Sequence, residues 1–461
     1  MLTIYGPRSR RSAYCDQVSR RDFLTIGGMA MGGVSLASVL KAESAVGRAG
    51  GTKSGGHRSI INIYLPGGPS HIDMWDPKPE APAEIRGEFR AIQTNVPGIE
   101  VSEMFPKVAA MMDKFAIVRS LADSDGAHDA YQCMTGRKKG PRMPPGGWPA
   151  AGAWISKVQG SVNNSIPPHL ALMYTTGNRT WGEPSDGGFL GVAHNPFNLL
   201  GRTARSTTDS MVLQGITLDR LKDRDQLVRS LDNFRRDADT KGLMESMDVN
   251  AQKALGILTT TALADALDLS KEDPRVVARY GASSEEFQRD GAPPMVENFC
   301  VARRLVEAGA RYVSLNFSRF DWHGPDGMNF PKSREQFPIL DQGLAALVTD
   351  LHERGLDKDV SVVVWGEFGR TPKINKDNSR DHWPQNNGAL LAGGGMRTGQ
   401  TVGRSNRLGE HPVDRPVQFQ EVFATLYRCA GIDPKMVRIF DQAGTPQWLV
   451  DEGIEPMKEL V

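Results

Sequence analysis

The sequence predicts an α/β protein, a three-layer sandwich around a mostly parallel sheet. Three observations lead there. Compact apolar runs such as SIINIYL at 59–65 and VSVVVW at 360–365 lack the apolar–polar alternation of a half-exposed strand, as expected when both sheet faces are covered. Helical patterns alternate with those runs, as in strand–helix–strand units. Polar motifs also fall where the runs end, and the loops at the carboxyl edge of a parallel sheet meet in one crevice.

Residues 1–45 read as a targeting segment rather than as part of the fold. Arg8, Arg10, Arg11, Arg20 and Arg21 make a basic start, and Ser19-Arg20-Arg21-Asp22-Phe23-Leu24 matches a twin-arginine export signal. The apolar stretch at 23–40 carries Gly27, Gly28, Gly32 and Gly33 and is short for a bilayer span. The expectation is export to the periplasm or beyond through the twin-arginine machinery, with no stable span after processing; an N-terminal membrane anchor is the alternative. Residues 46–58 read as a flexible glycine-rich linker.

Residues 59–455 are expected to form one large domain. A first strand at 59–65 ends at Pro66-Gly67-Gly68. A helix is expected at 103–114, then strands at 115–121 and 169–174. A strongly charged helical insertion is placed at about 218–290. A helix at 295–309 feeds a strand at 311–317. A long helix at 335–354 stops at Gly355, followed by strands at 360–365 and 388–393 and a closing helix at 418–429.

The chain has 461 residues, of which 55 are basic and 54 acidic, for a net charge of +1. That balance gives no reason to expect nucleic acid or an anionic membrane surface as partner. Of four cysteines, Cys15 lies in the targeting segment. Cys133, Cys300 and Cys429 have no CxxC spacing, so they imply buried small side chains rather than a thiolate cluster or a disulfide framework.

The chemistry-bearing residues fall in the loops. Gly67-Gly68-Pro69-Ser70-His71-Ile72-Asp73 follows the first strand. On an extended segment His71 and Asp73 share a face, and Asp73 is the favoured metal ligand; a capped turn is the competing reading. Ser124 and His128 follow the strand at 115–121, just before a helix, and are the reactive candidates. Asp321 and His323 offer one oxygen and one nitrogen ligand from a single loop, with Asp326 beyond. Glu367 ends a strand as a further candidate ligand. Arg370 is placed either to clamp an anionic oxygen pair or to salt-bridge Glu367 or Asp381. Asp381-His382 supplies the last pair. Trp75, Trp181, Trp322 and Trp383 lie nearby, for core packing or for stacking on sugar rings.

The twin-arginine start together with GGPSHIDMWDPKP, HDAYQCMTG, DWHG, WGEFGRTP and RDHWP resembles exported bacterial proteins of the domain-of-unknown-function family 1501. That family is similar in fold to the alkaline phosphatase and sulfatase superfamily. The resemblance implies an alkaline-phosphatase-like fold and a metal-dependent hydrolase of phosphate or sulfate esters. It implies one or two divalent ions (Zn, Mn, Mg or Ca) held by Asp73, Asp321, His323, Glu367 and His382. Its substrate would be a small anionic ester or a sulfated or phosphorylated glycan. The chain carries neither a Cys-x-Pro-Ser-Arg sulfatase signature nor an Asp-Ser-Ala phosphatase motif, so Ser124 and His128 are merely the nearest nucleophile candidates. A non-catalytic protein that binds metal and anionic glycan on the same scaffold is the alternative.

Overall fold

A computed structural model describes residues 57–163, 165–200, 262–324 and 328–461. The targeting segment, nearly all of the linker, most of the charged insertion and Asp326 lie outside the described residues. The compact unit runs His57–Val461.

Among the described residues, nine strands form the central sheet. In chain order they are β1 (Ser59–Tyr64), β2 (Phe115–Ala122), β3 (His169–Leu172), β4 (Phe197–Asn198), β5 (Tyr312–Asn316), β6 (Val360–Trp365), β7 (Asn387–Gly393), β8 (Gln400–Val402) and β9 (Val417–Gln418). Their spatial order is β8-β2-β7-β6-β1-β5-β3-β4, and β9 pairs with β2. All pairings are parallel except those of β7, which runs antiparallel to both β2 and β6. Two reversals cancel, so β1, β2, β3, β5 and β6 all end at the same edge.

The apolar runs have the cause expected of them. Neighbours along each strand enter different cores: Ile61, Ile63, Val362, Val364 and Leu315 lie on one face, and Ile60, Tyr64, Val363, Trp365 and Tyr312 on the other. Burying each large aliphatic side chain contributes about 1.5–3 kcal/mol. Helix α1 (Ala151–Gln159) and helix α4 (Phe419–Cys429) cover the second face through Trp154, Ile155, Phe423 and Tyr427. Helix α2 (Glu297–Ala308) and helix α3 (Asn329–Glu353) cover the first through Phe299, Leu305, Leu340 and Leu344. Asn62, at the centre of β1, is fully satisfied: it donates to the Cys133 carbonyl and the Tyr312 hydroxyl and accepts from the Trp365 indole. Among the described residues, no helix is long and apolar enough to cross a membrane.

Two local expectations need correction. The helix expected at 103–114 is only a single turn at Pro106–Ala109 followed by a tighter turn at Met112–Lys114; Pro106, tolerated in a first turn but not inside a helix, rules out a helix running through from 103. The segment after Gly68 is not extended. Ser70 caps a short helix at His71–Met74, its hydroxyl accepting from the Asp73 amide at 3.3 Å. On a helix, positions two apart diverge, so His71 and Asp73 do not share a face.

Candidate metal centre

Four side chains from three strand-end segments meet beyond the sheet edge: His128 after β2, Asp321 and His323 after β5, and His382 after β6. Each offers one donor atom, and the four atoms lie within 4.8 Å of one another. Asp321 Oδ1 is their common point. It lies 3.0 Å from His323 Nε2, 3.1 Å from His382 Nε2 and 3.7 Å from His128 Nε2. His128 Nε2 and His382 Nε2 are 2.9 Å apart. Donors at metal–ligand lengths on a tetrahedron stand about 3.3 Å from each other, so these separations match a ligand set around one cation. Three imidazoles and a carboxylate suit zinc or a similar transition ion better than magnesium or calcium, which prefer all-oxygen shells.

The loops are held from below. Asp321 is buried, and Arg370 reaches its Oδ1 at 2.5 Å while Arg319 reaches its Oδ2 at 3.1 Å. Burial pushes the Asp321 carboxyl up, but His323, His382 and Arg370 outweigh it and hold the group well below the usual carboxylate range. Burial lowers His128 from its ordinary value, which favours the neutral imidazole a metal needs. Its Nδ1 faces the Asn178 amide at 3.3 Å. The amide –NH2 faces the ring there, and the Asn178 oxygen accepts instead from the Thr180 hydroxyl at 3.1 Å. Phe368 lies against His382, with ring centroids 4.4 Å apart, and Trp181 stacks on His128 at 4.9 Å. A two-residue ribbon, Gly369–Arg370 against His382–Trp383, sets His382 opposite Arg370. His128, His323 and His382 remain part-exposed while Asp321 is covered, so the cluster opens to solvent through its imidazoles.

The other expected site residues go elsewhere. Asp73, expected as a ligand, is buried in an ion pair with Arg380, whose Nε and Nη2 reach it at 2.9 and 3.0 Å, and it accepts from Asn329. Glu367, also expected as a ligand, accepts instead from the amides of Gly67 and Gly68 and from Trp181 Nε1. Burial pushes its carboxyl up to about 7 against the lowering pull of those amides. Neither residue is among the four converging donors. Arg370 is 1% exposed, and its donors go to Asp321 and to the carbonyls of Gly67, Gly68, Phe320 and Arg380. Its guanidinium ties the loops at 67–68, 320–321 and 380 together. The Ser124 hydroxyl donates to the Glu367 carbonyl and accepts from the Gly126 amide, so it braces two loops. His128, read as a reactive residue at a helix start, stands in the loop ahead of the helix at Tyr131–Thr135.

Arg319, Arg380 and Trp181 escaped the sequence reading as site-builders. Arg380 had a visible signal in RDHWP, beside the histidine that was read. Trp181 was singled out for core packing or sugar stacking, but not for its contacts with His128 and Glu367, which lie 53 and 186 residues away along the chain.

The chain matches the family described as "Protein of unknown function (DUF1501)" over residues 57–461. It belongs to that family. No curated protein matches it in sequence. Among solved structures it is similar to the PsFucS1 sulfatase from Pseudoalteromonas sp., with 12% identity, coverage of 87% of this chain and 72% of that one, and a TM-score of 0.36. It is also similar to the phosphonate monoester hydrolase SpPMH from Silicibacter pomeroyi, with 11% identity, coverage of 81% and 73%, and a TM-score of 0.37. A third is the alkaline phosphatase from the Antarctic bacterium TAB5, with 12% identity, coverage of 81% and 98%, and a TM-score of 0.34.

Proposed function

We propose that this family member is a metal-dependent hydrolase of phosphate or sulfate esters, working at the His128–Asp321–His323–His382 cluster. The observation that carries the reading is the convergence of those four donors within 4.8 Å on loops from separate strands. A zinc-like ion held there would polarise an ester oxygen and make water a stronger nucleophile at neutral pH. The chain's own residues then have defined tasks. Arg370 and Arg319 fix the Asp321 carboxylate and keep it ionised. Trp181 and Phe368 hold the His128 and His382 rings in place. The part-exposed histidines present the open side to an anionic substrate, such as an ester on a glycan. With Ser124 engaged by backbone, water is the attacking group in this reading.

A second reading is favoured by two contacts. Ser124 and Arg370, the expected nucleophile and anion clamp, are both consumed internally. A protein that binds metal and an anionic glycan without turnover fits those contacts equally. The test is a panel of aryl phosphate, phosphodiester and sulfate esters, with zinc, manganese, magnesium or calcium added. The hydrolase reading expects turnover with at least one ester, lost in His323→Ala and His382→Ala. Stoichiometric metal with no turnover on any ester selects the binder.

A further inference from the structure

We propose that Glu367 is a positioning residue that holds the metal centre from behind by gripping two of its branches at once; this rests on the metal-centre reading above. The first branch leads to Asp321. The Gly67 and Gly68 amides donate to Glu367 at 2.9 and 3.1 Å, and the carbonyls of the same two glycines accept from Arg370, which meets Asp321 Oδ1 at 2.5 Å. Gly67 has φ +96°, and a Cβ there would stand 2.5 Å from the Asp321 backbone nitrogen. The peptide Glu367 holds therefore lies directly against the ligand's own backbone, and only glycine fits.

The second branch leads to His128. Trp181 Nε1 donates to Glu367 Oε1 at 2.9 Å, and the indole stacks on the His128 ring with an interplanar angle of 23°. Glu367 Oε1 takes Gly67 N and Trp181 Nε1, while Oε2 takes Gly67 N and Gly68 N. Both oxygens thus serve as acceptors, in a site 2% exposed. A carboxamide in the same place must turn its –NH2 toward an N–H group. Turned one way it releases the indole beside His128; turned the other way it releases Gly68 and the support of Asp321. The geometry gives a buried acid the work of orienting ligands, an outer-shell role.

The experiment uses the full chain, stripped of metal and titrated with zinc alone by calorimetry. Glu367→Gln is expected to weaken zinc binding by about 10–100-fold, the range for outer-shell changes. Trp181→Phe keeps the ring over His128 and removes only the donor to Glu367. It is expected to weaken zinc by about tenfold, and it decides the matter if Glu367→Gln does not fold. The zinc-induced rise in Tm should shrink in step while far-UV circular dichroism stays that of the wild type, a pattern that loss of general stability would not give. Wild-type zinc affinity in the folded variants overturns the positioning role and leaves the metal centre standing. Absence of zinc binding by the wild-type chain itself overturns both.

Discussion

Two regions of this molecule bury charge, and they do it in opposite ways. Between α2, α3 and the preceding turn, Arg303 is fully buried against Asp350, Glu307 and Glu272. Arg304 and Arg354 join the same carboxylates, and Tyr280 donates to Asp350. There each acid meets its own donors and the signs are interleaved. Beyond the sheet edge, one oxygen of Asp321 gathers an arginine and two imidazoles, with a third imidazole near, and two of those imidazoles face each other at 2.9 Å. The first is a closed structural network. The second is crowded with nitrogen around one point and open to solvent through its imidazoles. Burial of charge alone does not mark a site; mismatch between donors and acceptors does.

Breaking the closed network should have the larger effect on stability. Arg303→Met removes the fully buried cation and leaves Glu272 and Asp350 to Arg304 and Arg354 alone, and is expected to destabilise the fold by about 3 kcal/mol in denaturant unfolding. Metal content should not change; its loss in a folded Arg303→Met protein would erase the distinction between the regions.

A smaller effect sharpens the same contrast through pH. Burial pushes Glu272 up, but hydrogen bonds from Arg303 and Arg304 bring it from 4.5 down to about 2. A carboxyl depressed by folding adds stability that is present above pH 4.5 and lost as pH falls toward 2. Unfolding free energy should decline across that window, and Glu272→Gln should flatten the decline. An equally steep acid slope in that variant would place the effect elsewhere.

Much of the scaffold was legible because its cause is local. Runs such as VSVVVW fit a strand covered on both faces, and β6 is one, between parallel β1 and antiparallel β7. The convergence of Asp321, His323 and His382 was legible because they stand just past a strand end or in the loop after one. What failed depended on partners far along the chain. Asp73 looked like a ligand until Arg380, 307 residues away, took both its oxygens. Glu367 looked like one until glycine amides 300 residues away took its lone pairs. Ser70, three residues before Asp73, did carry a local warning of a helix cap. His128 was visible as chemistry but not as a ligand, because only the fold sets β2 in register with β7 and brings its loop to the others.

The central claim is that one cation belongs at the Asp321 cluster, and metal content per chain tests it most directly. Protein reloaded with zinc and freed of excess should hold one ion per chain by elemental analysis, and His382→Ala, still folded, should hold none. A wild-type chain that retains no metal, or a His382→Ala chain that retains it in full, would contradict the account.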